Sequence, residues 1–447
     1  MSDAVLRGRL AGHAAGGRFQ LFVVGGGLLA LVGAALFALS LSGEAADRAW
    51  HLFHVNWLYF TGLAGGSVAI AAVHKIVKAK WSGVVLRFAE AAGAFFPVSL
   101  LGLVLIFTLG YDHIYGPMHE QLHSMAHAKA LWLSKPWMFG RLFIGLAALY
   151  YLGWRLIRAD LLPDIADTVG QAEGARRARY DRMLAGFDNS EAGRAAHEAR
   201  LHRLAPLYAA TYAMVFTMVA FDGIMALQPH WFSNLLGGFY FMGSFLGAHM
   251  LLALTVMYAG TQTGVWHLIS PKQRHDLGKL CFGFTVFWAY LMFAQFLVIW
   301  YGNLPEETGF VFARLWGTWL PIGRAVFLGM FLIPFIGLLG VGPKKFPGTM
   351  ALFATVSLVA LWLERYLLVM PSVTTLDGPT FGLPELGPTL LMAGLFFLAY
   401  GLFARAFPMV SPRLAEITVT AERHHAVEDH FDHDEKANDF LTDPEVS

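Results

Sequence analysis

Apolar runs long enough to cross a bilayer recur along the whole chain, each closed by a short polar connection. They lie near 19–41, 52–74, 88–110, 136–156, 205–227, 236–262, 279–301, 316–340, 348–370 and 386–407. About 20 apolar residues in a helix span the roughly 30 Å of a hydrocarbon core. Within lipid every backbone N–H and C=O must find its partner inside the segment, which predicts helices. The roughly ten-residue alternation of a membrane barrel is missing. The stretch 223–271 carries no Asp, Glu, Lys or Arg, and Pro229, Ser233 and Asn234 divide it at a turn. The first run, Phe19–Gly43, has 25 uncharged residues behind Arg7, Arg9 and Arg18. A signal sequence has an apolar region of roughly 7–15 residues, so this run is expected to stay as an anchor.

Charge between the runs gives an orientation. With the N-terminus inside, the cytoplasmic segments hold 25 of the 32 Lys and Arg, and the outer side holds Arg48, Lys129, Lys135, Arg141 and Arg314. That bias follows the positive-inside rule. The expectation is an all-α integral membrane protein with about ten transmembrane helices and both termini cytoplasmic. Residues 1–18 form a cytoplasmic N-terminus and 19–407 the membrane domain. A charged cytoplasmic loop, 155–204, interrupts that domain, and reads as one or two amphipathic helices with a turn at Gly186–Ser190. Residues 408–447 form an acidic tail with ten Asp or Glu from Glu416 onward, of a composition expected to be mobile.

Composition agrees and excludes other classes. The chain has 447 residues, 56% hydrophobic and 14% charged, with mean hydropathy +0.53. Soluble domains carry roughly 25% charged residues. A net charge of +1 offers no basic face to nucleic acid. The single Cys281 rules out a disulfide framework, a cysteine-held iron–sulfur cluster and a covalently attached c-type haem in this chain.

An ionisable side chain in hydrocarbon costs at least about 2.5–3.5 kcal/mol, so those inside the runs are functional candidates. Asp222, Arg324, Glu364 and Arg365 share a depth near the outer face. They are expected either to hold a polar headgroup or pass a proton, or to form a static ion-pair network. His249 lies at mid-membrane, where it would relay protons or simply pack. His54 is near the outer end of its run and His74 at the inner end of the same run, so no pair of histidines is matched for a b-type haem. Glu90 follows Arg87 by three residues, one helical turn, at the inner membrane edge. It reads as a local pair or as the cytoplasmic entry of a proton path. In the outer loop, His119, His123 and His127 recur every four residues and would line one helix face, with His113 nearby. His424, His425, His430 and His433 lie among acids in the tail. The glycines of the first two runs read as close helix packing.

Four stretches carry a resemblance. The first runs from Arg274-His-Asp-Leu-Gly-Lys-Leu through Phe287-Trp-Ala-Tyr-Leu-Met-Phe-Ala-Gln-Phe to Ile299-Trp-Tyr-Gly-Asn-Leu-Pro-Glu-Glu-Thr. The second is Ala79-Lys-Trp-Ser with Arg87 and Glu90. The third runs from His127-Ala-Lys to Arg141. The fourth contains Phe221-Asp-Gly, Met225-Ala-Leu, Pro229-His-Trp-Phe-Ser and Gly238-Phe-Tyr-Phe. Together they resemble the NrfD/polysulfide-reductase family of membrane subunits, and most closely the second, shorter NrfD-like subunit of alternative complex III. Gly223 and Ala226 depart from the family pattern, where Trp and Ser are expected.

The resemblance implies NrfD-like helical bundles in the bacterial inner membrane, within a quinol:cytochrome c (electron acceptor) oxidoreductase. Implied partners are a sister NrfD-like subunit, an iron–sulfur protein, multihaem and monohaem c-type cytochromes and small membrane subunits, with haem and iron–sulfur clusters held by those partners. This chain would contribute contact with a quinone such as menaquinone, a transmembrane proton path, or both, through Asp222, His249, Arg324, Glu364, Arg365, His54 and Glu90. Two other readings stand beside it: a secondary transporter, and a structural anchor for redox subunits that performs no chemistry.

Overall fold

The computed structural model describes residues 19–43, 45–79, 81–262, 269–374 and 377–411. The N-terminal segment, the tail histidines and the acidic tail from 412 lie outside them. Among the described residues there are helices and turns and no strand. Ten helices are long and apolar enough to cross a membrane: α1 Gln20–Ser40, α2 Ala46–Ile76, α3 Leu86–Thr108, α4 Lys135–Gln171, α5 Glu191–Leu227, α6 Leu236–Tyr258, α7 Pro271–Gly302, α8 Gly317–Gly337, α9 Pro347–Val373 and α10 Leu383–Ala406.

Eight of the ten pack as two rings of four, each running in chain order. In the first, α2 meets α3, α3 meets α4, α4 meets α5, and α5 returns to α2. In the second, α6, α7, α8 and α9 close in the same way. The rings join where α2 and α5 lie on α6 and where α2 lies on α9. Helix α2 is the axle of this arrangement, buried along nearly its whole length. Its sequence is therefore apolar all round and lacks a polar stripe.

The fourth and fifth helices are longer than the hydrophobic runs. Helix α4 continues through Arg155 to Gln171, and α5 begins at Glu191, far ahead of its apolar run. The charged segment is thus built from two helix extensions with the short helix Gly174–Leu184 between them, and a turn follows at 185–190. Ser190 caps α5 by accepting a hydrogen bond from the Gly193 amide.

Local chemistry explains the interruptions. Helix α3 tightens to a 3-10 turn over Ala91–Phe95, just ahead of Pro97, whose missing N–H breaks the regular ladder. Helix α8 widens to a π-helical turn at Leu328–Leu332, immediately before Pro334. Asn303 ends α7 in the left-handed conformation at φ 47°. Pro305 then starts the helix Pro305–Leu315, with Glu306 and Glu307 in its first turn.

The outer-loop histidines do not share a helix face. His119 lies near the end of the helix Tyr111–Gln121 and His123 in a 3-10 turn. Met125 is extended, and His127 opens a new helix. The four-residue spacing is read across a chain break in the helix, which periodicity alone does not reveal.

Helices α1 and α10 lie together on the outside of the rings. Gly387, Gly394 and Gly401 repeat every seven residues on α10 and face α1, where Gly26 and Gly33 have the same spacing. A Cβ on Gly33 would fall 2.1 Å from the Leu391 amide nitrogen, and one on Gly394 would fall 2.2 Å from that of Ala30. Backbones that approach so closely gain packing contact where lipid offers no hydrophobic drive. Gly394→Leu should therefore cost at least about 1–3 kcal/mol, seen as an earlier thermal transition in detergent. Gly25→Leu, on the side of α1 with open space, should leave the transition unchanged.

Candidate functional site: buried charges and a cavity between α7 and α9

The four ionisable residues expected at one depth do not form one cluster. Arg324 is exposed on α8 and makes no ion pair among the described residues. Asp222 lies in the last regular turn of α5 and pairs with Arg141 near the start of α4. Arg141 Nε lies 2.6 Å from one carboxylate oxygen and Nη2 bonds the other. The guanidinium also donates to the Trp132 carbonyl at 2.7 Å and stands 4.0 Å from the centre of that indole ring. His54 of α2 joins this corner through Nε2, 2.7 Å from the Gly223 carbonyl. The Tyr115 hydroxyl donates to the Asp222 carbonyl at 3.1 Å. A Cβ on Gly223 would fall 3.1 Å from Leu58 Cδ2 and 3.6 Å from His54 Cε1, so the larger side chain expected there would displace both. Sequence reading counted Arg141 as an outer-loop charge and so missed the partner of Asp222.

Glu364 and Arg365 sit on α9 with both side chains buried. Arg365 Nη1 donates to Glu364 Oε2 at 2.7 Å. Its Nη2 reaches the Tyr240 carbonyl and the Ser244 hydroxyl of α6, each at 3.1 Å. The guanidinium lies 4.2 Å from the centre of the Tyr240 ring. The second oxygen of Glu364, Oε1, has no protein partner.

That oxygen belongs to a residue lining a small cavity of about 120 Å³ between α6, α7, the helix Pro305–Leu315, α8 and α9. Phe239, Met292, Phe310, Val326 and Leu367 supply apolar wall. Three further lining residues bring buried polar atoms without protein partners: Trp288 Nε1, Gln295 Oε1 and Arg314 Nε. Buried polar groups in folded proteins are almost always satisfied, so four exceptions around one cavity are unusual.

Arg314 was counted with the outer loop on sequence grounds, yet it is 4% exposed. Its Nη1 donates to the Phe310 carbonyl at 2.9 Å. Its Nη2 donates to the Leu368 carbonyl at 2.7 Å and to the Ser372 hydroxyl at 2.6 Å. No carboxylate pairs with it among the described residues. Phe310 lies against its guanidinium at 3.3 Å and is stacked on its other side by Trp231 at 3.6 Å. The Asn303–Pro305 stop and restart puts Arg314 here, and that signal is readable in the sequence.

A cluster of ionisable side chains occupies the opposite end of the first ring. Arg87 Nη2 donates to Asp160 Oδ2 at 2.9 Å and to Asp164 Oδ2 at 2.7 Å, and Nη1 lies 3.3 Å from Glu90 Oε2. Lys75 bonds the other oxygen of Asp160. Glu90 is thus in a buried network of two cations and three carboxylates, more than the local pair its spacing implied. Asp160 and Asp164, four residues apart on the extension of α4, were taken for loop charges. The tail starts here too: Met409, Val410 and Ser411 are buried, and the Ser411 hydroxyl donates to Asp164 Oδ1 at 2.8 Å.

His249 is buried on α6 with Nδ1 2.9 Å from the Phe245 carbonyl of its own helix. It also lines a cavity of about 480 Å³ with His74, Trp81, Asp276 and Lys279, at the end of the bundle where α2 finishes and α7 begins. Among the described residues no group of three or more His, Cys, Asp or Glu is arranged to hold a metal ion.

The Arg141–Asp222 pair gives a direct test of these burial arguments. Removing one partner of a buried pair strands the other charge, at a cost of about 3–5 kcal/mol. Arg141→Met should lower thermal stability in detergent by that order. The double variant Arg141→Met with Asp222→Asn should recover most of the loss.

Comparison with known proteins leaves the reading on the residues themselves: no protein-family model matches this chain, and no curated protein matches it.

Proposed function

We propose that this chain is the membrane subunit of a quinol:electron-acceptor oxidoreductase of the alternative complex III type, and that the cavity beneath Glu364 receives a quinone ring. One observation carries the reading. Two donors, Trp288 Nε1 and Arg314 Nε, and two acceptors, Gln295 Oε1 and Glu364 Oε1, are left unpaired around a small apolar cavity. A quinone or quinol ring is flat and apolar, with two oxygens on opposite edges. Its carbonyl form accepts from the indole and the guanidinium, and its hydroxyl form donates to the amide and the carboxylate. Glu364 would take up a proton at Oε1 while Arg365 holds its other oxygen.

The size of the cavity fits a headgroup alone, since whole small-molecule pockets are usually about 300–1,000 Å³. A second cavity of about 350 Å³ shares Phe296 and Val311 with the first and is lined by Trp300, Phe312 and Trp316. That surface would receive an apolar tail. Trp288 and Gln295 also belong to the stretch that most strongly carries the resemblance. With a single cysteine, this chain holds no cysteine-ligated iron–sulfur cluster or covalently attached c-type haem, so in this reading the clusters and haems that accept electrons belong to partner subunits. A secondary transporter asks for interrupted helices at corresponding places in two halves. Here α3 is the second helix of its ring and α8 the third of the other, which disfavours that alternative.

Purification through this chain in mild detergent, with subunit mass spectrometry, a haem difference spectrum and quinone extraction, tests the proposal. Cytochromes c and an iron–sulfur protein should co-purify, with quinone present. Trp288→Phe and Glu364→Gln should each lower bound quinone and quinol turnover by about tenfold, the equivalent of one lost hydrogen bond, with subunits and haem unchanged. A lone, spectrally silent protein would sink the reading. Unchanged quinone content in both variants would remove the cavity from it.

A further inference from the structure

A cavity larger than those beside Glu364 and His249 lies elsewhere, at the end that carries the charged segment. It measures about 610 Å³ and is bounded by α3, α4, α10 and the short helix Gly174–Leu184. Its walls are apolar, with Trp154, Ile157, Leu161 and Phe403 among them, and its rim carries Arg158, Arg179 and Arg182. A neighbouring basin of about 300 Å³ shares Trp154, Arg158 and Met183 and adds Arg155, His197 and Arg200. Among the described residues no carboxylate lines either basin. Acids do occur in this segment, and several are engaged elsewhere: Asp181 pairs with Arg177, Asp167 with Arg194, and Asp160 and Asp164 with Arg87. Among the described residues Arg158, Arg179 and Arg182 have no acidic partner, and their hydrogen bonds are limited to the Met183 carbonyl for Arg158 and the Ala178 carbonyl for Arg182.

Two geometric facts set the level of this groove. The helix Gly174–Leu184 is tied to the end of α10 by the Tyr180 hydroxyl, 3.2 Å from the Ala406 carbonyl. Arg179 and Arg182, three residues apart, lie on one face of that helix. Tyr151 and Trp154 are both more than half exposed on α4, just where its apolar run gives way to Arg155 and Arg158, the usual position of interfacial aromatics. An apolar hollow at the hydrocarbon edge, roofed by unpaired guanidiniums, matches a phosphodiester with acyl chains below it.

We infer that this groove is a binding site for an anionic phospholipid, whose phosphate is held by Arg158, Arg179 and Arg182 and whose acyl chain lies along Trp154 and Phe403. The apolar walls call for an occupant that brings an acyl chain as well as a charge to the arginines. Recognition depends on the guanidinium plane and on the chain together, so free phosphate does not substitute.

Native mass spectrometry of the intact protein in detergent, equilibrated with equal amounts of phosphatidylglycerol and phosphatidylcholine, reads the site. The wild type should retain phosphatidylglycerol at least about tenfold over phosphatidylcholine, in keeping with the attraction of several arginines near a membrane surface. In R158Q/R179Q/R182Q the preference should fall to near unity. R176Q/R177Q/R203Q, which removes equal charge from the same segment outside both basins, should keep it. Millimolar inorganic phosphate should leave it intact. Equal retention in the wild type and the first variant, or equal loss in both variants, would overturn the proposal. So would protection of the tail from protease by the three arginines without any lipid preference, which would assign them to residues 412–447.

Discussion

A charge carried into hydrocarbon must meet a partner before it can stay, and the organisation of this bundle follows from that single cost. Helix α2 is buried on all sides because the charges at its two ends are matched by other helices. Near its start Arg48 holds Glu385 of α10 with Nε 2.8 Å from Oε1, and at its end Lys75 meets Asp160 of α4. Asp222 has Arg141, and Glu364 has Arg365. Each pair crosses a helix boundary or reaches to a neighbouring helix for further bonds. Such pairs contribute little net stability over well-packed apolar residues, but they specify which helices are neighbours. The polar groups around the cavity beneath Glu364 break this pattern. One atom each of Trp288, Gln295, Arg314 and Glu364 is buried there without a protein partner.

The membrane plan was legible because it rests on a local signal. Ten charge-free or nearly charge-free runs correspond to ten helices, and the turn at Pro229–Asn234 divides α5 from α6 where it was expected. Pairing was not legible, because it depends on where helices extend beyond the membrane. Asp160 and Asp164 read as loop charges only because α4 was stopped at residue 156. Arg141 and Arg314 were set outside on the same logic, and both turned inward. Arg324 shows the converse error: it lies inside an apolar run, yet α8 turns it outward. Depth along a sequence does not give the azimuth of a side chain, and azimuth decides what it meets.

The two ends of the bundle use their polar groups differently. The network of Arg87, Glu90, Lys75, Asp160 and Asp164 is dense, with hydrogen bonds from Arg87 and Lys75 to the two aspartates and an ion contact from Arg87 to Glu90, and the first residues of the tail close over it through Ser411. Around Glu364 the polar atoms are sparse and separated by aromatic wall. A dense network resists rearrangement, since moving one member strands several others. A sparse one can exchange an occupant without breaking the helices apart. On the proposed reading, that contrast suits the second ring to a visiting molecule and the first ring to the frame around it.

The seam between α1 and α10 has a consequence for biosynthesis. The two helices most distant in chain order among the ten are the ones whose backbones approach most closely, glycine against backbone over several turns. While the intervening helices are being inserted, the glycine face of α1 has no partner from its own chain. It must wait in lipid or in the care of the insertion machinery, and α10 can complete the seam only after both rings exist. Assembly of this bundle therefore ends as a clasp closing rather than as the last stave added to a row, and errors made earlier in the chain leave that clasp open.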